Sequence, residues 1–417
     1  MQLKRVVVTG MGSLTPIGNT VDEYWESLLK GVSGAAPITY FDASNYKTKF
    51  ACELKNFSVS DHISRRDINK MDLNTQYAMV SAHEAFLDSG IDSCKEVNKD
   101  RVGVIWGSGI GGLKTVEEVL LDFYEGGGEM PRFSPFFIPK MIADITAGHI
   151  SVRYGFRGPN YATVSACSSS AHALIDSFNT IRLGKADIIF AGGSEATITR
   201  SGIGGFNSIN ALSVRNDDPS TASRPFDKDR DGFVMGEGSG TMVLEEYEHA
   251  KNRGAKIYAE FIGGAMSADA HHITAPHPEG LGAKNVMIEC IKDSGLSKED
   301  IDMVNMHGTS TPLGDMAEVK AVKDVFGDHV YNININSTKS MTGHLLGATG
   351  VVEAISCVLS IRGSFVPPTI NHFTDDDCID SRLNFTFNKS QKRDVNVAMS
   401  NTFGFGGHNA CVMLKKI

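Results

Sequence analysis

No two cysteines of this chain form a Cys-x-x-Cys pair. The seven cysteines, at positions 52, 94, 167, 290, 357, 378 and 411, are scattered. That scatter excludes zinc-ribbon spacing and a two-cysteine redox motif, and the odd count suits a reducing compartment. Positive charge is in deficit: 40 Lys and Arg stand against 49 Asp and Glu, a net charge of −9. With no long basic stripe, the balance argues against general nucleic-acid binding. No apolar run reads as long enough to span a bilayer, and Met1–Gly10 enters a strand with no apolar leader. The expectation is a cytoplasmic protein without membrane insertion. Low-complexity linkers and short-period repeats are absent as well. At 417 residues, 43 of them glycine, the chain is long enough for two domain-sized units around a large core.

Short apolar strands alternate with helical patterns. Strands are expected at Arg5–Thr9, Val102–Trp106, Ile188–Ala191, Thr241–Glu245, Tyr258–Gly263, Met303–Met306, Asn334–Asn336 and Val395–Met399. Helices are expected at Asn74–Ser89, Gly282–Ser294, Asp315–Phe326 and Gly347–Arg362. The alternation indicates an α/β protein with helix-covered sheets. The charged stretch Glu245–Gly254 marks a junction, giving units 1–250 and 251–417. Each unit carries a strand, a tight turn of small residues and then a helix, at Tyr161–Leu183 and Ile333–Leu359. The repetition reads as an internal duplication.

The first of these turns holds Cys167. The strand-like run Tyr161–Val164 leads to Ser165-Ala-Cys-Ser-Ser169. A helix follows with Ala171, Leu174, Ile175, Phe178 and Ile181 on one face and Gly184 as its stop. The helix's positive pole and free N–H groups would favour a thiolate and could hold an oxyanion. A buried structural cysteine is the alternative. In the second half, His307 ends an apolar strand in a loop of small hydroxyl residues, where ligands of open α/β sheets collect. Lys339 and His344 lie in a glycine-rich turn opening a helix. Spacing alone leaves open whether these residues meet, and each histidine could be structural. In Ser400-Asn-Thr-Phe-Gly-Phe-Gly-Gly407, phenylalanine between glycines could swing, and a backbone N–H there could point into a site. A β-turn with two core aromatics is the alternative.

Three motifs are set aside. Asp227-Lys-Asp-Arg-Asp-Gly232 imitates the start of a calcium loop, but Gly238 stands where the bidentate glutamate is required. A salt-bridged loop is expected there instead. His271-His272 has no third ligand at suitable spacing. Gly107-Ser-Gly-Ile-Gly-Gly112 lacks the Lys-Ser/Thr of a phosphate loop, which leaves close backbone packing.

Taken together, Ser165-Ala-Cys-Ser-Ser169, Gly192-Gly-Ser-Glu195, Arg224-Pro-Phe-Asp227, His307-Gly-Thr-Ser-Thr311, Lys339-Ser-Met-Thr-Gly-His344 and Asn401-Thr-Phe-Gly-Phe-Gly-Gly407 resemble the β-ketoacyl-acyl-carrier-protein synthases of bacterial fatty-acid synthesis. The likeness runs nearly end to end and is nearest to the type II elongating enzymes. Ile110, where the type I enzymes have glycine, is one reason. The resemblance implies a thiolase fold, with two similar halves in five layers (α-β-α-β-α), and a homodimer. It implies a Cys167, His307, His344 site organised by Lys339, with Cys167 carrying the acyl chain. Malonyl-ACP would then lose CO2 to an enolate that the histidines stabilise.

Further roles follow from the same likeness. The backbone N–H groups of Cys167 and Phe403 match the oxyanion hole, and Phe403 also matches the gate between the two steps. Thr309 and Thr311 match contacts to the phosphopantetheine arm, which the carrier brings; no cofactor of the enzyme's own is implied. Ile110 and Phe206 match walls of the acyl pocket. Asn305, Glu353, Ser400 and Asn401 match a structural Na+ or K+ site. Arg65, Arg66, Lys70 and Arg132 would dock the acidic carrier, although Asn69 and Asn210 replace basic residues of the family. The rival readings are a polyketide or specialised ketosynthase, a thiolase, a chain-length factor and a cysteine hydrolase. A chain-length factor would lack the nucleophile, and a thiolase would present a second cysteine.

Overall fold

The computed structural model describes residues 3–94, 97–129 and 132–417. Ten strands carry the architecture: β1 (Val6–Leu14), β2 (Val102–Gly107), β3 (Asn160–Thr163), β4 (Ile188–Glu195), β5 (Gly238–Glu246), β6 (Ala259–Ala268), β7 (Met303–Asn305), β8 (Asn334–Asn336), β9 (Val397–Gly404) and β10 (His408–Lys415). Their order is β3-β2-β4-β5-β1-β6-β10-β9-β7-β8. Each half has the same pattern. β1 and β4 run antiparallel to β5, while β2 runs parallel to β4 and β3. Likewise β6 and β9 run antiparallel to β10, while β7 runs parallel to β9 and β8. Strand n of the first half thus answers to strand n + 5 of the second, and the duplication read from the two turns extends to whole sheets. The sheets join through Val6–Val8 of β1 against Ala259–Phe261 of β6.

Six helices complete five layers. The α1 (Leu73–Asp88) and α2 (Ile145–Tyr154) helices cover the outer face of the first sheet. The α4 helix (Leu281–Ser294) covers that of the second, with α5 (Pro312–Phe326) packed beside it. Between the sheets lie α3 (Ser169–Arg182) and α6 (Thr349–Gly363), each touching strands of both halves. The expected face of α3 is buried throughout, from Ala171 to Ile181, in one cluster with Val351, Ile355 and Val358 of α6. Because α6 is covered on both sides, nearly all its residues are apolar or small. The segment Leu346–Gly363 is therefore long and apolar enough to cross a membrane by length and composition, contrary to the sequence expectation, although 89% of it is buried inside the protein. Its hydrophobicity is that of a central-layer helix.

Glycines explain why several strands outrun their expected lengths. A Cβ on Gly10 would lie 2.6 Å from the Ala85 carbonyl oxygen, and one on Gly12 would lie 2.0 Å from that of Ser81. Strand β1 continues through both because α1 presses against its backbone. The stretch Glu245–Gly254 contains the end of β5 and a helix, Tyr247–Asn252. There the buried Glu245 carboxylate takes hydrogen bonds from Arg253 (2.6 and 2.7 Å) and pairs with His249 (2.6 Å).

Candidate active site

The two duplicated turns face each other at the central layer. In the first, Ala166 adopts a left-handed φ of 51°, and the short turn Ala166–Ser168 delivers Cys167 to the start of α3. A non-glycine residue there costs on the order of 1–3 kcal/mol, which the surroundings must offset. They do so with hydroxyls. Ser169 Oγ accepts the Ser165 N–H (2.9 Å) and donates to the Ala166 carbonyl (2.7 Å), and Ser168 Oγ donates to the His408 carbonyl (2.8 Å). Gly404 closes over the turn, where a Cβ would meet Ser165 O at 2.8 Å and Cys167 N at 3.1 Å.

The second turn runs from β8 through a short helix, Lys339–Thr342, to His344. Leu346 then repeats the left-handed φ, at 46°, before α6 begins. A strap at Val234–Gly236 holds the backbone of His344. The His344 N–H donates to Val234 O (2.7 Å), and the Gly236 N–H donates to His344 O (2.9 Å). Its imidazole therefore has little freedom. Nε2 lies 3.0 Å from Cys167 Sγ, Nδ1 lies 3.0 Å from Thr349 Oγ1, and the Phe233 ring meets it edge-on.

His307 arrives from the end of β7. Its N–H and that of Gly308 both donate to Glu318 on α5, each at 2.8 Å. The His307 ring stands perpendicular to that of His344, with centroids 5.3 Å apart, and its Nδ1 is buried without a protein partner. One donor atom from each of Cys167, His307 and His344 lies within 4.8 Å of the others. By donor type this set would suit a soft cation. The nearby Lys339 ammonium opposes one, and among the described residues no other such group gathers. Lys339 sits behind the site, buried, with Nζ 2.7 and 2.9 Å from the two carboxylate oxygens of Glu353 on α6.

Burial dominates the electrostatics. It pushes the Cys167 thiol up to about 12, against the lowering effects of Lys339 and of two backbone N–H groups. The expected pull of the turn's N–H groups towards thiolate is present, but desolvation outweighs it. Both histidines are held well below the ordinary imidazole range, first by burial and then by the Lys339 charge, so both are neutral. Burial also raises the carboxyls of Glu195 and Glu353 to about 7 and that of Glu318 to about 8.

The two N–H groups that oppose the rise of the thiol are those of Cys167 and Phe405. Phe403, the expected oxyanion donor beside Cys167, precedes Phe405 by two residues in the same hairpin. Phe403 pairs with Asn409 in the β9–β10 ladder, which ends at Gly404 with His408, and Phe405 is the first residue of the turn. Phe403 sets its ring 5.6 Å from that of His307, while the Phe405 ring lies 6.2 Å from that of Phe206.

Cys167, His307 and His344 open into a cavity of about 580 Å3. Ile110, Phe206, Thr309, Thr311, Phe403 and Phe405 all line it. The Thr309 and Thr311 hydroxyls lie 3.0 Å apart. The four residues proposed for a monovalent cation divide into separate contacts. Ser400 Oγ donates to Asn305 Oδ1 (3.2 Å), Glu353 is committed to Lys339, and the Asn401 amide nitrogen turns to Glu318 (3.4 Å). Asn401 Oδ1 is buried without a partner and is the free oxygen that such an ion would require. Arg65 and Arg66 are exposed on the short helix Arg65–Ile68, and Arg132 is exposed elsewhere. Lys70 is tied to Asp67 at 2.9 Å. None of these four lines the cavity.

The motifs set aside are structural. Arg230 pairs with Asp376 (2.7 Å), and the Asp227 carboxylate accepts the N–H groups of Phe373 and Thr374. A Cβ on Gly107 would lie 2.3 Å from Ser170 N, which confirms close packing in that glycine run. His271 and His272 are exposed in the loop before α4. Sequence reading gave no role to Thr349 or Glu318, although Thr349 opens the helix that follows the glycine-rich turn and Glu318 lies one helical turn after Asp315.

The turn, the paired histidines and the cavity belong to a thiolase-fold condensing site. The family models described as "Beta-ketoacyl synthase, N-terminal domain" and "Beta-ketoacyl synthase, C-terminal domain" match residues 3–250 and 258–373. The chain belongs to the β-ketoacyl synthase family. It is 49% identical over 415 residues to a 3-oxoacyl-[acyl-carrier-protein] synthase 2 of Staphylococcus aureus, covering 100% of this chain and 99% of that protein. It is 47% identical over 416 residues to the protein of the same name from Synechocystis sp., with the same coverage. A solved structure of a type II polyketide synthase acyl-carrier protein in complex with its hexaketide-bound ketosynthase matches with a TM-score of 0.90 at 30% identity, covering 100% of both chains.

Proposed function

We infer that this chain condenses acyl-ACP with malonyl-ACP, giving a 3-oxoacyl-ACP two carbons longer, CO2 and free ACP. The observation that carries the reading is Cys167 Sγ at 3.0 Å from His344 Nε2, on a tight turn at the floor of the cavity. Identities of 47–49% to 3-oxoacyl-ACP synthases, against 30% to the polyketide structure, favour fatty-acid elongation over a specialised ketosynthase.

The chemistry proceeds in two stages. Cys167 Sγ attacks the acyl thioester carbonyl while its proton passes to His344 Nε2. Collapse of the tetrahedral adduct breaks the carbonyl–sulfur bond of the carrier, whose thiolate takes that proton. The N–H groups of Cys167 and Phe403 stabilise the adduct's oxyanion. In the second stage, the bond from the malonyl methylene to its carboxylate breaks. CO2 leaves, and the electron pair moves to the thioester oxygen, where neutral His307 and His344 meet the growing charge. The Thr349 hydroxyl serves either tautomer of His344, accepting from Nδ1–H or donating to Nδ1. The enolate carbon then attacks the acyl-cysteine, and the cysteine leaves as thiolate and takes up from solvent the one proton that the overall condensation consumes. Lys339 keeps both imidazoles neutral, and Thr309 and Thr311 offer hydroxyls to the phosphopantetheine arm. Asn401 Oδ1, with Asn305 and Ser400, would seat a structural Na+ or K+ that enters no step.

The acidic carrier docks through the exposed Arg65, Arg66 and Arg132, with Lys70 beside them. Two copies of the chain pair along β3, the edge strand of the sheet, where Tyr161, Val164 and the neighbouring Val152 of α2 are exposed and apolar. Seven unbridged cysteines suit a cytoplasmic setting.

The test is a mass shift of one acyl group on Cys167 with acyl-ACP, followed by CO2 release with malonyl-ACP. Acylation at another cysteine, or turnover to free fatty acid, would overturn the reading. His307→Ala or His344→Ala should slow decarboxylation on the order of 100- to 1000-fold. Native rates in both would leave the histidines structural.

A further inference from the structure

Glu195 ends β4, is fully buried, and touches none of the reacting atoms. Its carboxylate accepts three backbone N–H groups from two separate segments. Gly109 (2.8 Å) and Ile110 (3.3 Å) lie in the loop after β2, and Gly347 (2.9 Å) lies in the second duplicated turn. The receptor is built to admit it. A Cβ on Gly109 would lie 2.7 Å from Glu195 Oε2, and one on Gly347 would lie 2.7 Å from the same oxygen and 2.3 Å from Gly109 N.

The duplication gives this contact its meaning. Gly347 follows the left-handed Leu346 as Cys167 follows the left-handed Ala166. At the first turn, the N–H of Cys167 is available to a substrate oxyanion. At the second, the matching N–H is taken by Glu195. The side chain fills the anion pocket of the silent turn and uses it to anchor the loop that carries Ile110. On either side of these two residues the backbone is held by the Ser108 N–H to Thr163 O (3.3 Å), the Gly111 N–H to Ser108 Oγ (3.0 Å) and the Gly112 N–H to Met141 O (3.1 Å), while the N–H groups of Gly109 and Ile110 themselves go to Glu195.

We propose that Glu195 is a positioning residue for acyl-chain selection: by fixing the Gly109–Ile110 backbone against the Gly347 turn, it sets where the Ile110 side chain closes the acyl pocket. This rests on the reading of the cavity as an acyl pocket. In Glu195→Gln, one oxygen remains an acceptor while an NH2 group opposes N–H donors. The loop then gives way locally and Ile110 moves with it.

The experiment measures kcat and KM for a series of acyl-ACP lengths in the parent, Glu195→Gln, Ile110→Ala and the double variant, with thermal unfolding and malonyl-ACP decarboxylation followed in parallel. For Glu195→Gln we expect a change in length preference on the order of 10- to 100-fold, carried by KM for acyl-ACP, with decarboxylation affected much less. In the Ile110→Ala background the same substitution should change the profile no further. Glu195→Asp keeps the charge but is one methylene shorter, so it should show a smaller shift in the same direction, and it answers the question if the glutamine variant fails to fold. An unchanged profile, an equal loss at every length together with decarboxylation, or full additivity with Ile110→Ala would overturn the inference. Absence of acyl transfer in the parent itself would instead overturn the underlying function.

Discussion

Replacing Lys339 with methionine tests the electrostatic design of the site. Lys339 and Glu353 are 1% and 2% exposed, and the ammonium contacts both carboxylate oxygens. Removing one member of such a buried pair costs about 3–5 kcal/mol when the other stays charged. Glu353 has an escape, because burial already raises it to about 7 against the pull of Lys339. Without the lysine it rises further and takes a proton. An acid with a raised folded pKa contributes stability in full below its unfolded value, and that contribution falls as pH rises towards the folded one. Both proteins therefore lose stability up to pH about 7. Above that the parent levels off while Lys339→Met continues to fall, by about 1.4 kcal/mol per pH unit.

The histidines move as well. Lys339 is the second cause of their depressed pKa values, so its loss raises both and shifts the acid limb of malonyl-ACP decarboxylation to higher pH. Denaturant titrations across pH 6–9 read the first effect, and CO2 release across the same range reads the second. A stability gap independent of pH, together with an unmoved acid limb, would refute the argument. Lys339→Met combined with Glu353→Leu should recover much of the stability but keep the shifted acid limb.

Three further outcomes can be checked. Gly404→Ala should slow acyl transfer to Cys167 more than it lowers the unfolding midpoint, since its Cβ would meet Ser165 O at 2.8 Å and Cys167 N at 3.1 Å; single-turnover acylation and thermal melts separate the two. Ile110→Phe should favour short acyl groups with little change in decarboxylation, and an unaltered length profile would remove residue 110 from the pocket wall. Tyr161→Lys on the edge strand should shift a dimer towards monomer in analytical ultracentrifugation, and an unchanged mass would exclude β3 as the interface.

The Cys167 turn was legible because its local chemistry is unusual: small residues between an apolar strand and an apolar helix face. The resemblance then joined residues from both halves, and the structure places Cys167, His307 and His344 around one point. Two things were not local. Spacing in Asn401-Thr-Phe-Gly-Phe-Gly-Gly407 cannot say where the β9–β10 ladder ends, because that depends on the pairing of Gly404 with His408. A helix pole can be inferred from sequence, whereas the burial that opposes it at Cys167 comes from both halves together. Strand lengths failed for a related reason. Gly10 and Gly12 look like breaks until α1 is packed on them, and β10 lacks alternation because Asn409–Leu414 is buried on both faces.

The duplicated turns also determine how this protein fails. Cys167 comes from the β3–α3 turn and His344 from the β8–α6 turn, and the two side chains meet only because the helices behind them share one core. Neither half holds a working remnant of the site. An opening of either sheet that loosens the central layer separates sulfur from imidazole before the chain as a whole unravels. Catalytic activity is therefore a sensitive gauge of integrity in both halves at once, and destabilising changes far from the cavity should silence the enzyme through the seam between the repeats.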